Sequence, residues 1–164
     1  LNMSGFTLTM TSEWIEGSEI TMPSSRTKAA GGMTKDENFW ILTGGLNEYG
    51  KPVSSVWLLD IKRSIWKANI LPPMIMDRYS HGCVVVGTMV YIFGGRDRNG
   101  QSLQSVEVLD LQDYYRNNNQ PQTKGWELIQ PMKIPRAPMA VERLGKKIYI
   151  FGNSPSNNVI KIIE

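Results

Sequence analysis

The chain has 164 residues, 41% hydrophobic and 20% charged, an ordinary globular balance that excludes wholesale disorder and is long enough for a real core. The formal net charge is +3 with Lys and Arg scattered, so the expected partners include neither nucleic acid nor a membrane surface. Fifteen glycines and nine prolines predict many tight turns.

In chain order, the first predicted strand is "SGFTLTM" (4–10), followed by a strand carrying Trp14. Arg26 then opens a stretch of four predicted strands: "KAAGGM", "FWILT", "SVWLLDI" and "SIWKANI". Their apolar and β-branched runs lack helical periodicity, so the chain reads as all-β. Between the second and third strands lies "GGLNEYGKP". Here Gly45, Gly50 and Lys51 satisfy the G-x-x-x-x-G-K core of a phosphate-binding loop. That pattern needs a hydroxyl after the lysine and a helix to follow, whereas Pro52 and a strand come instead.

Arg78 opens a second unit: "SHGCVVVG", "MVYIF", "SVEVLDL" and "GWELIQ". Its turn, "GGRDRNGQS", repeats the earlier one fifty residues on, with Gln101 in place of Lys51, so the glycines belong to a shared turn rather than a phosphate cradle. The stretch from Asp110 to Trp126 carries ten residues more than the first unit, and its Asn/Gln content predicts an exposed loop of little core value. Tyr114, Tyr115 and Arg116 within it read either as a second contact or as a tethered turn. Arg136 opens a third unit with "PMAVERLG", "KIYIF" and "NVIKII". The units therefore divide as 1–25, 26–77, 78–135 with an insertion at 112–124, and 136–164.

The longest mostly apolar run, "CVVVGTMVYIF", is well short of the roughly 20 residues that span a bilayer. No signal peptide is visible, and Cys83, the only cysteine, sits in an apolar run as a core thiol suited to a reducing compartment. A cytoplasmic setting, cytoskeleton-associated in one reading, is the expectation, and the sequon Asn2-Met3-Ser4 would then be idle. The chain begins at Leu1 rather than Met, and about three and a half units cannot close a ring of roughly four to eight. Further blades from the same or another chain are expected.

The double glycine closing a hydrophobic strand, the tyrosine in that strand (Tyr91, Tyr149), the downstream Trp66 and Trp126, and the period near fifty resemble the kelch-repeat β-propeller. The "W…PM…R" spacing (Trp66, Pro73-Met74, Arg78; Trp126, Pro131-Met132, Arg136) is similar to BTB-kelch proteins. Two departures are Ile41, where a tyrosine is usual, and Gly152-Asn153 in place of two glycines. The resemblance implies a kelch-type β-propeller segment of four-stranded antiparallel blades. It also implies a non-catalytic module that recognises a protein or peptide, presenting substrate to a cullin-type ubiquitin ligase. A cytoskeletal, actin-cross-linking kelch protein is the alternative. A galactose-oxidase-like enzyme is the third reading. Within this segment His81 and Cys83 offer too few ligands for its copper site, no catalytic set or other metal site is visible, and no cofactor is expected.

By the resemblance, partner contacts fall after each double glycine and after each blade-opening arginine. Position by position these are Leu46, Asn47, Arg96, Asp97 and Ser154, with Thr27, Tyr79 and Ala137. Arg98 joins them, because Arg96, Arg98 and Tyr79 would make one sector cationic and aromatic, suited to an acidic peptide. The recurring Arg26, Arg78 and Arg136 read as loop staples.

Overall fold

A computed structural model describes residues 5–8, 14–17, 20–118, 120, 124–145 and 147–152. Twelve strands and one short helix are assigned among them. Two four-stranded antiparallel sheets form the centre. The first blade runs β3 (Ala30–Met33), β4 (Phe39–Thr43), β5 (Val56–Asp60) and β6 (Ile65–Ala68). The second runs β7 (Gly82–Val86), β8 (Met89–Phe93), β9 (Val106–Asp110) and β10 (Glu127–Ile129). Two-stranded sheets flank them: β1 (Gly5–Leu8) with β2 (Trp14–Gly17), and β11 (Ala140–Leu144) with β12 (Lys147–Phe151). This is a segment of a β-propeller. The stretch "NVIKII" read as a last strand, and Ser154, lie outside the described residues.

The repeat is written in the hydrogen bonds as well as in the residues. In the first blade the Gly44 amide donates to the Ser55 carbonyl (3.0 Å), and the Val53 amide to Gly45 (3.0 Å). In the second, Gly94 donates to Ser105 (3.0 Å) and Leu103 to Gly95 (2.8 Å). The double glycine also joins neighbouring blades, since the Gly45 amide donates to the Arg78 carbonyl (2.8 Å) and Gly95 to Arg136 (2.9 Å). Gly44 and Gly94 have φ of 54° and 52°, in the left-handed region where a side chain is strained. A Cβ on Gly44 would also stand 2.6 Å from the Arg78 carbonyl oxygen, and one on Gly94 2.6 Å from that of Arg136.

Innermost strands β3, β7 and β11 lie side by side. Small residues allow that approach, since a Cβ on Gly82 would collide with Val141. Apolar cores fill the seams between blades. Phe39, Ile41, Val56 and Leu58 of the first blade meet Val90, Ile92, Leu109 and Trp126 of the second. The opposite face of the second blade, with Tyr91, Phe93 and Val108, meets Ile148 and Ile150 of β12. Each fully buried aliphatic side chain contributes about 1.5–3 kcal/mol.

Burial differs from strand to strand. The second strand is buried on both faces in β8 but not in β4, where Trp40 is 36% exposed. The third strands do not alternate: β5 and β9 are buried almost throughout, lying between blades rather than at a solvent face.

The insertion also departs from its reading. It forms a five-residue helix, α1 (Gln112–Arg116), so the chain is nearly rather than wholly β. Tyr114 is 1% exposed and its ring meets Phe39 edge-on at 5.7 Å, which puts the insertion into the core between the blades. Arg116 and Asn117 remain exposed. Beside α1, the turns of both blades line an open pocket of about 410 Å³ with Lys35, Asp36, Gly87, Thr88 and Tyr115.

Candidate functional site

In an antiparallel meander, alternate connections emerge at the same end. The turns 44–55 and 94–105 therefore share one end with the blade-to-blade connections 69–81 and 130–139, and this end is the rim. Short two-way pairings knit it together. Thr27 and Leu46 exchange backbone hydrogen bonds (3.1 and 2.8 Å), and Tyr79 and Arg96 do the same (3.1 and 2.8 Å). Four of the residues selected from the sequence are thus brought together in two pairs, one per blade. The seam between the pairs is bridged by the Ser80 amide donating to the Lys28 carbonyl (2.8 Å) and by the Lys28 ammonium lying 5.5 Å from the Tyr79 ring centre.

Asn47 and Asp97 hold their turns rather than projecting outward. Asn47 Oδ1 accepts from the Tyr49 and Lys51 amides (3.0 Å each), and Asp97 Oδ1 from the Asn99 and Gln101 amides (2.9 Å each). Arg96 donates through Nη1 to the Gly100 carbonyl (2.6 Å). Arg98 is exposed and ion-paired to Asp77 at 2.7 Å. Ala137 is buried, 0% exposed. Ser154 is outside the described residues. Lys28 and Asp77 were not selected from the sequence. Lys28 had a signal, because it stands two residues after its arginine as Ser80 does; Asp77 had none.

Beneath the rim, each blade-opening arginine reaches into its own blade. Arg78, 0% exposed, donates to the Gly94 carbonyl (2.7 Å) and to Ser105 Oγ (3.1 Å), and pairs with the buried Glu107 carboxylate. Glu107 in turn accepts from the Ile75 and Met76 amides (2.7 and 3.1 Å). Arg26 meets Trp57 at the corresponding position, its guanidinium 4.2 Å from the ring centre, and donates to Ser55 Oγ (2.7 Å). Arg136 donates to the Gly152 carbonyl (3.1 Å).

His81 is buried at the seam. The Thr43 hydroxyl donates to the Ala30 carbonyl (2.9 Å) and therefore accepts from His81 Nε2 at 2.8 Å, which assigns the proton to Nε2. Burial, with Arg78 nearby, pulls the imidazole pKa down to about 3, so it is neutral at pH 7. Burial pushes the Cys83 thiol up to about 12, which leaves little thiolate to act as a nucleophile or metal ligand. Among the described residues no group of three or more His, Cys, Asp or Glu side chains is placed to hold a metal ion, and no helix is long and apolar enough to cross a membrane. The rim arrangement offers hydrogen-bonding and charged surface, which is the chemistry of recognition.

The Kelch motif family model matches residues 77–133, essentially the second blade with its insertion. Fold and match together give a segment of a kelch-type β-propeller with a Kelch motif over 77–133, and repeats of this kind indicate a protein–protein interaction module. The chain is similar to a putative F-box/kelch-repeat protein of Arabidopsis thaliana, with 30% identity over 95 residues, 58% of this chain and 23% of the relative. It is similar to Tip elongation aberrant protein 1 of Schizosaccharomyces pombe, with 29% identity over 128 residues, 74% of this chain and 11% of the relative. It also resembles tRNA wybutosine-synthesizing protein 4 of Eremothecium gossypii, with 25% identity over 125 residues, 74% of this chain and 16% of the relative. The chain spans less than a quarter of the length of each.

Proposed function

We propose that this chain is the substrate-recognition part of an adaptor for a cullin-type ubiquitin ligase, and that it contacts its substrate through the rim. The observation that carries the reading is the paired rim geometry, Thr27 with Leu46 and Tyr79 with Arg96, on repeats similar to those that F-box/kelch-repeat proteins carry beside an adaptor element. The adaptor element beside this chain would be an F-box, as in those relatives' names, or a BTB domain, as the sequence resemblance implies. A cytoplasmic, non-catalytic protein fits the role. The wybutosine-synthesizing relative has its named activity as a whole protein, of which the match covers 16%.

The test is purification of the tagged full-length protein from cells with detection of a cullin scaffold. The expected result is co-purification that survives charge reversal at Arg96 and Arg98. Absence of a cullin, with sedimentation of the full-length protein on filamentous actin, would instead establish the cytoskeletal reading that the sequence resemblance offers as the alternative.

A further inference from the structure

The two double-glycine turns share a backbone and differ in the residue at the tip. In both, the glycine at the tip is left-handed, Gly50 at φ 70° and Gly100 at 75°. Gly50 donates its amide to the Asn47 carbonyl (2.9 Å), and Gly100 to that of Asp97 (3.0 Å). The residue before this glycine is Tyr49 in the first turn and Asn99 in the second, and Asn99 is the only asparagine in the sequence that a glycine follows. Asn99 is exposed. Its backbone amide donates to Asp97 Oδ1 (2.9 Å), while its side-chain amide has no hydrogen-bond partner among the described residues. A Cβ on Gly100 would meet nothing nearer than the Tyr79 hydroxyl at 3.8 Å, so the space around the tip is open.

We propose that Asn99 is a site of spontaneous covalent modification, where deamidation gives aspartate and isoaspartate, and that the isoaspartate form undoes the turn on which Arg96 stands. The Gly100 nitrogen gives its proton to hydroxide and attacks Asn99 Cγ. A nitrogen–carbon bond forms, the Cγ–Nδ2 bond breaks, and Nδ2 takes up a proton and leaves as ammonia. Glycine lacks the side chain that would crowd this attack. The attack gives up the hydrogen bond from Gly100 to Asp97, which slows it in the folded turn without blocking it, because the tip is open to water. Water then opens the cyclic imide at one of its two carbonyls. Cleavage between the nitrogen and Cγ leaves aspartate on an ordinary backbone. Cleavage between the nitrogen and the backbone carbonyl carbon leaves isoaspartate, with one more carbon in the main chain. Either product places a carboxylate where a neutral amide stood. In isoaspartate the added carbon also shifts Gly100 and Gln101 relative to Asp97. The Gln101 amide then loses Asp97 Oδ1 (2.9 Å), and Arg96 Nη1 loses the Gly100 carbonyl (2.6 Å). The first turn is exempt, because Tyr49 has no side-chain amide. The inference stands whether or not the rim meets a partner.

The experiment incubates the full-length protein, digests it at acidic pH and maps each asparagine by mass spectrometry, with an isoaspartyl methyltransferase to tell isoaspartate from aspartate. The expected result is that Asn99 converts to acid ahead of every other asparagine of this chain, about tenfold faster at pH 8 than at pH 7 because the attacking nitrogen must first lose a proton. Asn99→Gln, confirmed folded by circular dichroism, is expected to lose the modification. Hydrogen exchange at the Gln101 amide is expected to speed up in the isoaspartate fraction and to stay slow in Asn99→Asp, which carries the charge without the added carbon. No acid at Asn99, less there than at other asparagines of the chain, a rate independent of pH, or unaltered Gln101 exchange in the isoaspartate fraction would overturn the proposal.

Discussion

A guanidinium shut away from water needs an acceptor, and the three blade-opening arginines meet that need differently. Arg78 finds Glu107, whereas Arg26 finds the face of Trp57 at the corresponding position. Their recurrence made a stapling role legible in the sequence, but the partner across the blade was not, because Trp57 and Glu107 have nothing in common except register. The sequence showed His81 only as an insufficient metal ligand; its tie to Thr43 of the preceding blade comes from packing between units, which no local pattern records. The structure makes it a pH-sensitive element. Its folded pKa near 3 lies below the ordinary 6.5, so the unfolded chain binds a proton that the folded one refuses. The histidine costs nothing above pH 6.5, costs about 1.4 kcal/mol per pH unit as pH falls below it, and stops costing more below about 3. Urea denaturation of the wild type and His81→Gln at pH 7 and pH 5 is expected to show the wild type losing about 2 kcal/mol more than the variant; parallel losses would contradict the account.

Among the elements, the double-glycine turn was the most legible, because backbone geometry left glycine at the same places fifty residues apart. Its second task, hydrogen-bonding each blade to the next, was not visible, since the accepting carbonyls of Arg78 and Arg136 carry no side-chain signature. The insertion was misread for a related reason. Its composition is polar, yet one residue, Tyr114, fixes it to the seam against Phe39, while the Asn/Gln-rich remainder dominates any average. Tyr114→Ala is expected to destabilise the protein by about 3–5 kcal/mol, as large aromatic truncations in a core do. Tyr114→Phe is expected to be nearly neutral, because the buried hydroxyl has no hydrogen-bond partner among the described residues. Thermal denaturation monitored by near-ultraviolet circular dichroism separates the two; a harmless alanine would restore the insertion to a mere surface loop.

For the molecule as a whole, the repeat is what made the fold readable. Strands, turns and their order followed from self-similarity, and the strands were located to within a few residues. Burial was not readable, because a blade's faces are covered by its neighbours rather than by its own sequence. The rim shows the same division. The sequence resemblance selected Leu46, Thr27, Tyr79 and Arg96, which the chain pairs across its turns, and Ala137, which is buried. It passed over Lys28, which only the seam brings to Tyr79. The central claim is that partners are met at the rim and not at the end bearing α1. The most direct measurement compares cellular partners recovered by the wild type, by a Leu46→Glu, Arg96→Glu rim variant and by a Lys35→Glu, Arg116→Glu variant at the opposite end, each confirmed folded. The account expects the rim variant to lose its specific partners and the other to keep them; retention by the rim variant with loss by the other would contradict it.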